Sequence, residues 1–494
     1  MKYTCIFLFS VLMLLGSCSD WLDVNPVTEI RESKLYSSEE GYKEALNGVY
    51  ILLGKKELYG KTVSMYIPEM IVHTWTVPTE ATDPTGYYLS KFDYANSNVE
   101  PAIDDMWSSY YTAIAQINDI LKNINSSGVS FNNGNKELIE GECYGLRAFL
   151  HLDLLRLFGP IPNNATGAAK CIPYVTEFTT DATKLTSSTY DEVVKGIESD
   201  LNKSEEFLGT SDPVITTTSC LDVSSSSSAS TISDPWQYYR QLRFNYFAAL
   251  ATKARFYYWT GQPDKAVEYA KKVVAATDKS GNKEFTLCDE AYFSANADAN
   301  LNMKVEHVFG VYNSHFLDDV YAPYYAKRNH VFTQDSKYVA TCYESSLYPD
   351  DIRNKGTRYW ANSQDTNSPE KSFHYYKYIN NGSNYGRYTV PCIRLSEMYF
   401  IIFEDETIDA MMSYFKTWRL SRGLDSSIDN TLTTSSAVLN RMEKEWRKEF
   451  MGEGQMFYFY KKHAYEALTW PTTITLPSLN SYIIPIPKSQ TSFE

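Results

Sequence analysis

Two long stretches of helical periodicity constrain the fold of this 494-residue chain more than any other feature. Apolar residues recur every three or four positions through residues 102–125 and again through residues 136–158. A turn rich in Gly, Asn and Ser joins the two stretches, and Gly159-Pro160 stops the second one. The sequence therefore predicts an αα-hairpin of two long helices.

The same periodicity, punctuated by Gly and Pro, predicts a mostly α fold. Further helices are predicted at residues 39–53, 188–208, 236–259, 261–277, 392–404, 408–422 and 435–451. Small residues flank Gly261, with Ala254 before it and Ala266 and Ala270 after it, in a spacing similar to a tetratricopeptide unit. We expect four helix pairs, formed by 102–158, 188–260, 261–277 with 392–404, and 408–451.

Two segments, about 55–101 and 280–390, lack sustained helical periodicity. The first contains four prolines, and the second is rich in Tyr, Asn and Asp, so we expect turns, short strands and a few helical turns. Long irregular segments in compact domains are often functional. We expect one domain over residues 18–494, a mostly helical unit in which these two segments are non-helical insertions.

The N-terminus predicts an export signal. Residues 5–16 form an apolar stretch that is too short to span a membrane, and Lys2 is the only charge before it. The stretch ends in Leu15-Gly16-Ser17-Cys18, which resembles a bacterial lipobox, although an ordinary signal peptide is the alternative. We therefore expect residues 1–17 to be removed and Cys18 to be lipidated. No other run reaches transmembrane length, so the mature chain is expected to be anchored rather than spanning.

Charge and composition exclude one class of partner and favour another. Lys and Arg total 46 against 60 Asp and Glu, a formal charge of −14, which argues against nucleic acid because phosphate binding needs a basic face. The 40 Tyr residues outnumber Phe and Trp together, at 24 and 9. A tyrosine has an apolar ring and a polar tip, so this composition suits contact with a ligand that is itself partly apolar and partly hydrated.

The sequence carries no motif of a known catalytic or metal centre. Its seven histidines form no H-E-x-x-H pattern, no phosphate-binding glycine loop occurs, and the cysteines show no C-x-x-C spacing. Adjacent acids occur at Asp318-Asp319, Asp350-Asp351 and Glu404-Asp405-Glu406, but they favour solvated turns over the paired carboxylates of a glycosidase. We expect a binding protein without a cofactor or metal rather than an enzyme.

Several sequence blocks, in order, resemble the SusD/RagB family of outer-membrane nutrient-binding lipoproteins. The blocks are Cys18–Pro26, Tyr42–Tyr50, the positions Trp107, Tyr111, Ile114 and Asn118, then Glu142–Pro162, Arg394–Tyr399 with Arg422-Gly423, Glu449–Gln455, and Pro485–Pro487. The sequence departs from the family pattern at three positions after the Glu449–Gln455 block. Met456, Phe459 and Lys462 stand there in place of an Arg, an Asp and an Arg. We expect apolar packing there instead of an ion network.

The resemblance implies a SusD-like fold in which tetratricopeptide-type helix pairs support a loop-rich half. It also implies a cell-surface lipoprotein of the outer membrane that sits as a lid over a TonB-dependent, SusC-like transporter. Asp20 and Asp23, behind the cysteine, resemble the surface-export signal of Bacteroidetes-type lipoproteins. The usual family ligand is an oligosaccharide, and some members take peptides; a surface glycoside hydrolase is the third possibility.

Aromatic residues in the two irregular segments are the candidate ligand contacts. Sugars present flat C–H faces ringed by hydroxyl groups, and an exposed aromatic platform fits them without catalysis. The alternative is that such residues anchor their own loops. The candidates are Trp75, Tyr87, Tyr88, Tyr324, Tyr325, Tyr359 and Trp360.

Overall fold

The computed structural model describes most of the chain. The described residues are 34–492, apart from 180, 182, 184, 218–220, 222–231, 296–300, 327–331, 357, 363–371, 379–387 and 426–428. The predicted signal segment 1–17 and Cys18 therefore lie outside the described residues. No helix in the described part of the chain is long and apolar enough to cross a membrane.

The described residues are mostly helical, as predicted. The helices are α1 Glu39–Leu53, α2 Ile67–Ile71, α3 Pro84–Leu89, α4 Glu100–Asn125, α5 Asn135–Phe158, α6 Tyr190–Ser211, α7 Pro213–Thr216, α8 Tyr246–Trp259, α9 Pro263–Val274, α10 Glu290–Ala295, α11 Ser336–Cys342, α12 Leu395–Asp405, α13 Ile408–Ser421, α14 Ser435–Glu449, α15 Gln455–Lys462 and α16 Lys488–Thr491. Two π-helices lie at Thr62–Tyr66 and Leu317–Ala326.

Short strands occur mainly in the second irregular segment. The strands are β1 His307–Tyr312, β2 Thr333–Asp335, β3 Trp360–Asn362, β4 Ser372–Tyr375, β5 Thr389–Arg394, β6 Ala467–Leu468 and β7 Ile474–Thr475. All pairings are antiparallel, in the orders β1-β5, β2-β4-β3 and β6-β7. Because β5 runs directly into α12, the β1-β5 ribbon joins this segment to the helices.

The long helices pack on one another in a continuous series. Helix α4 packs on α5, α5 on α6, α8 on α6 and α9, and α12 on α9, while α13 and α14 both pack on α12. Glycines permit the closest approaches: a Cβ at Gly145 of α5 would lie 2.2 Å from the Phe244 ring, and one at Gly141 would lie 2.7 Å from Leu208 of α6. The predicted pairing of 102–158, 188–260 and 261–277 with 392–404 is therefore confirmed, whereas the two helices of the fourth predicted pair, 408–451, both pack on α12.

The predicted helix 236–259 is wrong in its first third. Helix α8 begins only at Tyr246, where Asn245 accepts a hydrogen bond from the backbone N–H of Ala248. Residues 235–242 instead form two 3₁₀ turns, and between them Tyr239 has φ 54°, which no right-handed helix allows. Helix α15, in contrast, was not predicted.

The departure from the family pattern behaves as expected. Met456 and Phe459 of α15 are buried, and the Phe459 ring packs 5.9 Å from the ring of Trp446. Lys462 has its Nζ 3.7 Å from the centre of the Tyr258 ring, so the cation rests on an aromatic face. Apolar and cation–π packing thus occupies the position at which the family pattern places ions.

A buried ion network joins the helices to the second irregular segment. Glu449, at the end of α14, accepts from Arg394 at 2.8 Å and from Arg422 at 2.8 Å, and both arginines also reach Glu306 just before β1. All four side chains are fully buried. Burial alone would raise the pKa of Glu449, but the guanidinium groups of Arg422 and Arg394 hold that pKa well below its usual range.

The network extends further into the second irregular segment. Arg353 pairs with Asp351 at 2.7 Å and reaches Glu445 at 2.9 Å and Glu449 at 3.3 Å. Lys377 forms an ion pair with Glu453, which also accepts from Arg394. Buried ion pairs thus attach the second irregular segment to α14, through Arg353, and to the turn before α15, through Lys377.

We predict that Glu449→Gln lowers the free energy of unfolding by about 3–5 kcal/mol, because it leaves buried guanidinium groups without their counter-charge. Urea unfolding followed by circular dichroism measures this. The control is Glu268→Gln, since Glu268 pairs with Lys272 at 2.7 Å while both side chains are largely exposed. That change is expected to cost less than about 0.5 kcal/mol. Equal effects of the two substitutions would contradict the prediction.

Candidate functional site

The two irregular segments meet, as expected for a shared ligand side. The backbone N–H of Thr76 donates to the carbonyl of Thr333 at 2.7 Å. The side-chain amide of Gln334 donates to the carbonyl of Thr74 at 3.1 Å. Strand β2 therefore lies beside the chain that leads from α2 to α3, although more than 250 residues separate them in sequence.

Three of the predicted ligand contacts come together in one aromatic cluster. The Trp75 ring lies 5.1 Å from Phe332 and 5.6 Å from Tyr375. The Tyr375 ring in turn lies 4.8 Å from Trp360 and 6.2 Å from Tyr359. The aromatic residues of both segments thus converge on Tyr375 of β4.

This cluster is core rather than an exposed platform, so the expectation that Trp75, Tyr359 and Trp360 face solvent is wrong. Their exposed fractions are 1%, 2% and 2%. Two of the cluster's four polar tips are used internally, since Trp75 Nε1 donates to the Met65 carbonyl at 2.7 Å and the Tyr375 hydroxyl donates to the Met451 carbonyl at 3.2 Å. The rings fill the joint between the two segments, and their burial stabilises that joint.

Tyr324 and Tyr325 lie in the backbone of the π-helix Leu317–Ala326. Their side chains are outside the described part of the structure. Their contact with a ligand therefore stays a prediction.

Tyr87 and Tyr88 are the predicted contacts whose described side chains remain partly exposed. They lie on the short helix α3, where Asp83 caps the first turn by accepting from the Gly86 N–H at 3.1 Å. The Tyr66 hydroxyl donates to the same carboxylate at 2.7 Å, which ties α3 to the core. The two rings stand edge to face with centroids 5.1 Å apart, and we call them the tyrosine pair.

Polar groups surround the tyrosine pair. The Lys91 ammonium lies 3.9 Å from the centre of the Tyr87 ring. The Tyr88 hydroxyl donates to Glu80, and this hydrogen bond raises the pKa of Tyr88. Two ring faces with one cation and one carboxylate nearby form a surface with apolar and hydrogen-bonding parts, which suits a sugar.

Two of the adjacent acids are engaged within the fold. Asp351 is buried against Arg353. A cavity of about 180 Å³ is lined by Glu404, Asp405 and His463, but that volume is below the range of about 300–1,000 Å³ typical of ligand pockets. Glu404 already accepts from the Tyr258 hydroxyl at 2.7 Å and lies 2.8 Å from His463 Nε2. Among the described residues, no group of three or more His, Cys, Asp or Glu could hold a metal ion.

One aromatic groove in the structure is absent from the predicted ligand contacts. Trp236, Tyr238 and Tyr239 line it from the chain before α8, and Tyr50 and Asn47 line it from α1. The sequence does carry a signal for this groove, because the run W-Q-Y-Y places three aromatic residues within four positions. The helical pattern at 236–259 instead favours these rings as part of a helix.

Comparison with known proteins supports the family resemblance. Residues 20–220 match the SusD-like family described as starch-binding associating with outer membrane. Two SusD-like proteins of Formosa agariphila, P2 and P25, are each 24% identical, over 208 and 149 residues. These matches cover 42% and 30% of this chain but only 38% and 28% of the relatives' own lengths.

The fold comparison covers nearly the whole chain. A SusD superfamily protein from Bacteroides thetaiotaomicron superposes with a TM-score of 0.70 at 20% identity, over 92% of this chain and 98% of that one. A putative sugar binding protein and a SusD-like carbohydrate binding protein, both from Bacteroides vulgatus, give TM-scores of 0.66 at 19% and 16% identity, each over 92% of this chain and 96% of theirs. The chain has the fold of these proteins. The resemblance seen in the sequence blocks is thus confirmed, by family match in the N-terminal part and by fold throughout.

We predict that Trp75→Ala lowers the free energy of unfolding by about 3–5 kcal/mol, because it empties a fully buried aromatic site. Tyr88→Ala, at a partly exposed ring, is the matched control and is expected to cost less than about 1 kcal/mol. Thermal and urea unfolding of both variants provide the measurement. A Trp75 variant as stable as the wild type would show that the ring contributes nothing to the joint between the segments.

Proposed function

We propose that this chain is a cell-surface glycan-binding lipoprotein that captures an oligosaccharide and delivers it to a TonB-dependent transporter of the outer membrane. One observation carries the proposal: the SusD-like fold extends over 92% of the chain, and residues 20–220 match a family described as starch-binding associating with outer membrane. Carbohydrate binding at the outer membrane is the coarse function that this match supports. The transporter and the anchor rest on the sequence resemblance.

The local geometry is compatible with sugar binding. Tyr87 and Tyr88 offer ring faces for the C–H groups of a pyranose, while Lys91 and Glu80 offer a donor and an acceptor for its hydroxyl groups. The tyrosine pair stands on α3, which Asp83 caps and which packs on α2. A rigid support lowers the conformational entropy lost on binding.

Binding without turnover is the expected activity. A glycoside hydrolase needs two carboxylates on either side of the scissile bond, one of them free to donate a proton. Two of the acids singled out in the sequence are instead engaged within the fold, Asp351 with Arg353 and Glu404 with the Tyr258 hydroxyl. A peptide ligand remains the alternative within the same family, and the binding experiment below includes it.

Attachment and delivery follow from the predicted N-terminus. A lipid on Cys18 would hold the chain at the membrane surface, and one acyl chain holds only weakly, so stable attachment requires more than one. A protein anchored in this way cannot itself move a ligand across the membrane. We propose that it acts as a lid on its transporter, with the face formed by residues 55–101 and 280–390 toward the ligand.

We predict that replacing both Tyr87 and Tyr88 by Ala weakens glycan binding with little change in melting temperature, because partly exposed rings contribute little to the core. A glycan array that includes maltoheptaose, run beside a peptide pool, first identifies the ligand class, and calorimetry then measures affinity. Tyr414→Ala on α13, a partly exposed ring on the helical half, is the control. Chromatography of the oligosaccharide after incubation with the protein is expected to show that it stays intact.

Two outcomes would contradict that proposal. Binding of peptides but of no glycan would replace the proposed ligand class. Release of shorter saccharides by the pure protein would identify a hydrolase instead of a binding protein.

We predict that Cys18→Ala moves the chain from the membrane fraction to the soluble fraction, because the lipid is attached to that thiol. Cys5→Ala, within the same apolar stretch, is the matched control and is expected to leave the chain in the membrane. Fractionation after a high-salt wash measures the difference.

Gentle detergent extraction of the wild type is expected to recover a TonB-dependent transporter with it. A Cys18 variant that stays in the membrane, or recovery of the chain alone, would contradict the anchor or the lid, respectively.

A further inference from the structure

An open groove of about 410 Å³ lies between α1 and the chain that precedes α8. Its volume falls within the range of about 300–1,000 Å³ seen for ligand sites. We name it the α1 groove, and the residues used below are Asn47, Tyr50, Trp236, Tyr238, Tyr239 and Arg243. Ile51 and Tyr312 at its edge are 65% and 40% exposed, so apolar surface is accessible there.

The loop that carries most of these rings, residues 234–245, is held rigidly from its inner side. Arg240 is fully buried and pairs with Asp212 at 2.8 Å and Glu142 at 2.5 Å. The Gln237 amide donates to the Asn135 side chain at 2.7 Å, and the Asn245 amide donates to the Arg240 carbonyl at 3.0 Å. The polar side chains that point inward are thus all bonded, while the aromatic ones line the groove.

The backbone of this loop is strained at the groove. Tyr239 has φ 54° and ψ 48°, the left-handed conformation that residues with a β-carbon rarely adopt. Such a conformation persists only where the surrounding structure enforces it, and it is concentrated at functional sites. Here the two 3₁₀ turns on either side enforce it, and the result is that Trp236, Tyr238 and Tyr239 all line one groove.

The polar lining of the groove is close to neutral. The Arg243 guanidinium lies 4.2 Å from the centre of the Trp236 ring and donates to Asn47 Oδ1 at 2.6 Å. Its charge is offset by the buried Glu142 carboxylate, 3.4 Å away, which also accepts from the Tyr50 hydroxyl. Rings for stacking, together with amide and guanidinium donors and no excess charge, match an uncharged polyhydroxyl ligand better than an ion or a charged peptide.

We propose that the α1 groove is a second glycan-binding site, which takes a neutral oligosaccharide by stacking pyranose rings on Trp236, Tyr238 and Tyr239. It is built from segments other than those of the tyrosine pair. The inference rests on the proposed function, since it assumes a glycan ligand. Two sites on one chain would let it hold a long polysaccharide at two points, which raises the effective affinity for long chains over short ones.

The test compares variants of the full chain with maltoheptaose and equivalent neutral xylo-, cello- and manno-oligosaccharides as probes. The groove variant combines Tyr238→Ala with Tyr239→Gly. Glycine adopts the left-handed conformation freely, so the second change relieves strain and is expected to preserve or raise the melting temperature. Loss of two stacking rings is expected to weaken groove binding by about fourfold to a hundredfold. The double variant of Tyr87 and Tyr88 serves as the parallel arm that leaves the groove intact.

Hydrogen exchange of the wild type locates the ligand without any substitution. The amides of residues 234–245 are expected to gain protection when the bound probe is added, and that gain is expected to persist in the Tyr87/Tyr88 variant. Two outcomes would overturn the second site and leave the proposed function standing. In one, the wild type binds a probe but residues 234–245 gain no protection. In the other, the groove variant binds the probe with unchanged affinity. A wild type that binds no glycan would overturn the proposed function itself. Protection of 234–245 by the peptide pool alone would overturn the choice of ligand.

Discussion

The buried ion network around Glu449 is the interaction on which the rest of the structure depends. Arg394 and Arg422 share this carboxylate and also Glu306, which belongs to the second irregular segment. Charges removed from water in this way are tolerated only when each one has its partners. The network therefore permits one arrangement of α12, α13, α14 and that segment. The sequence blocks that resemble the SusD/RagB family, Arg394–Tyr399, Arg422-Gly423 and Glu449–Gln455, are largely the residues that build it.

The segment 449–455 extends that constraint to the candidate site. Gly452 and Gly454 have φ of 74° and 73°, and a Cβ at Gly454 would lie 2.6 Å from the Val63 carbonyl, so glycine is required there. The Gly454 N–H donates to Glu69 of α2, which belongs to the first irregular segment, and the Tyr378 hydroxyl of the second donates to the Gly452 carbonyl. Both irregular segments thus contact one short turn that the ion network fixes.

The helical frame could be predicted from the sequence because its signals are local. Helix α1 spans Glu39–Leu53, the range that its serine cap and apolar stripe predict, and α5 ends where Gly159-Pro160 requires. Exposure of aromatic rings is not a local property. Trp75 is covered by Phe332 and Tyr375, which lie more than 250 residues further along the chain. The convergence of the two irregular segments was therefore predictable from the resemblance, whereas the burial of the residues that join them was not.

The failed helix prediction at 236–245 has a physical cause that also explains the α1 groove. Residues 237, 240, 241 and 244 point inward with the spacing of a helix, which is why the pattern resembled one. Arg240 is instead held by Glu142 on α5 and by Asp212, which lies between α6 and α7, and these ion pairs favour the irregular path. Residues 236–245 thus depart from the helix that their pattern predicts, and Trp236, Tyr238 and Tyr239 line the α1 groove. Local departures of this kind are expected at functional sites, so this one favours a ligand-binding role over a purely stabilising one. Buried charges therefore act in the same way at two places: at Glu449 they fix where the irregular segments lie, and at Arg240 they fix the path of the loop 234–245 and so which of its rings line the α1 groove.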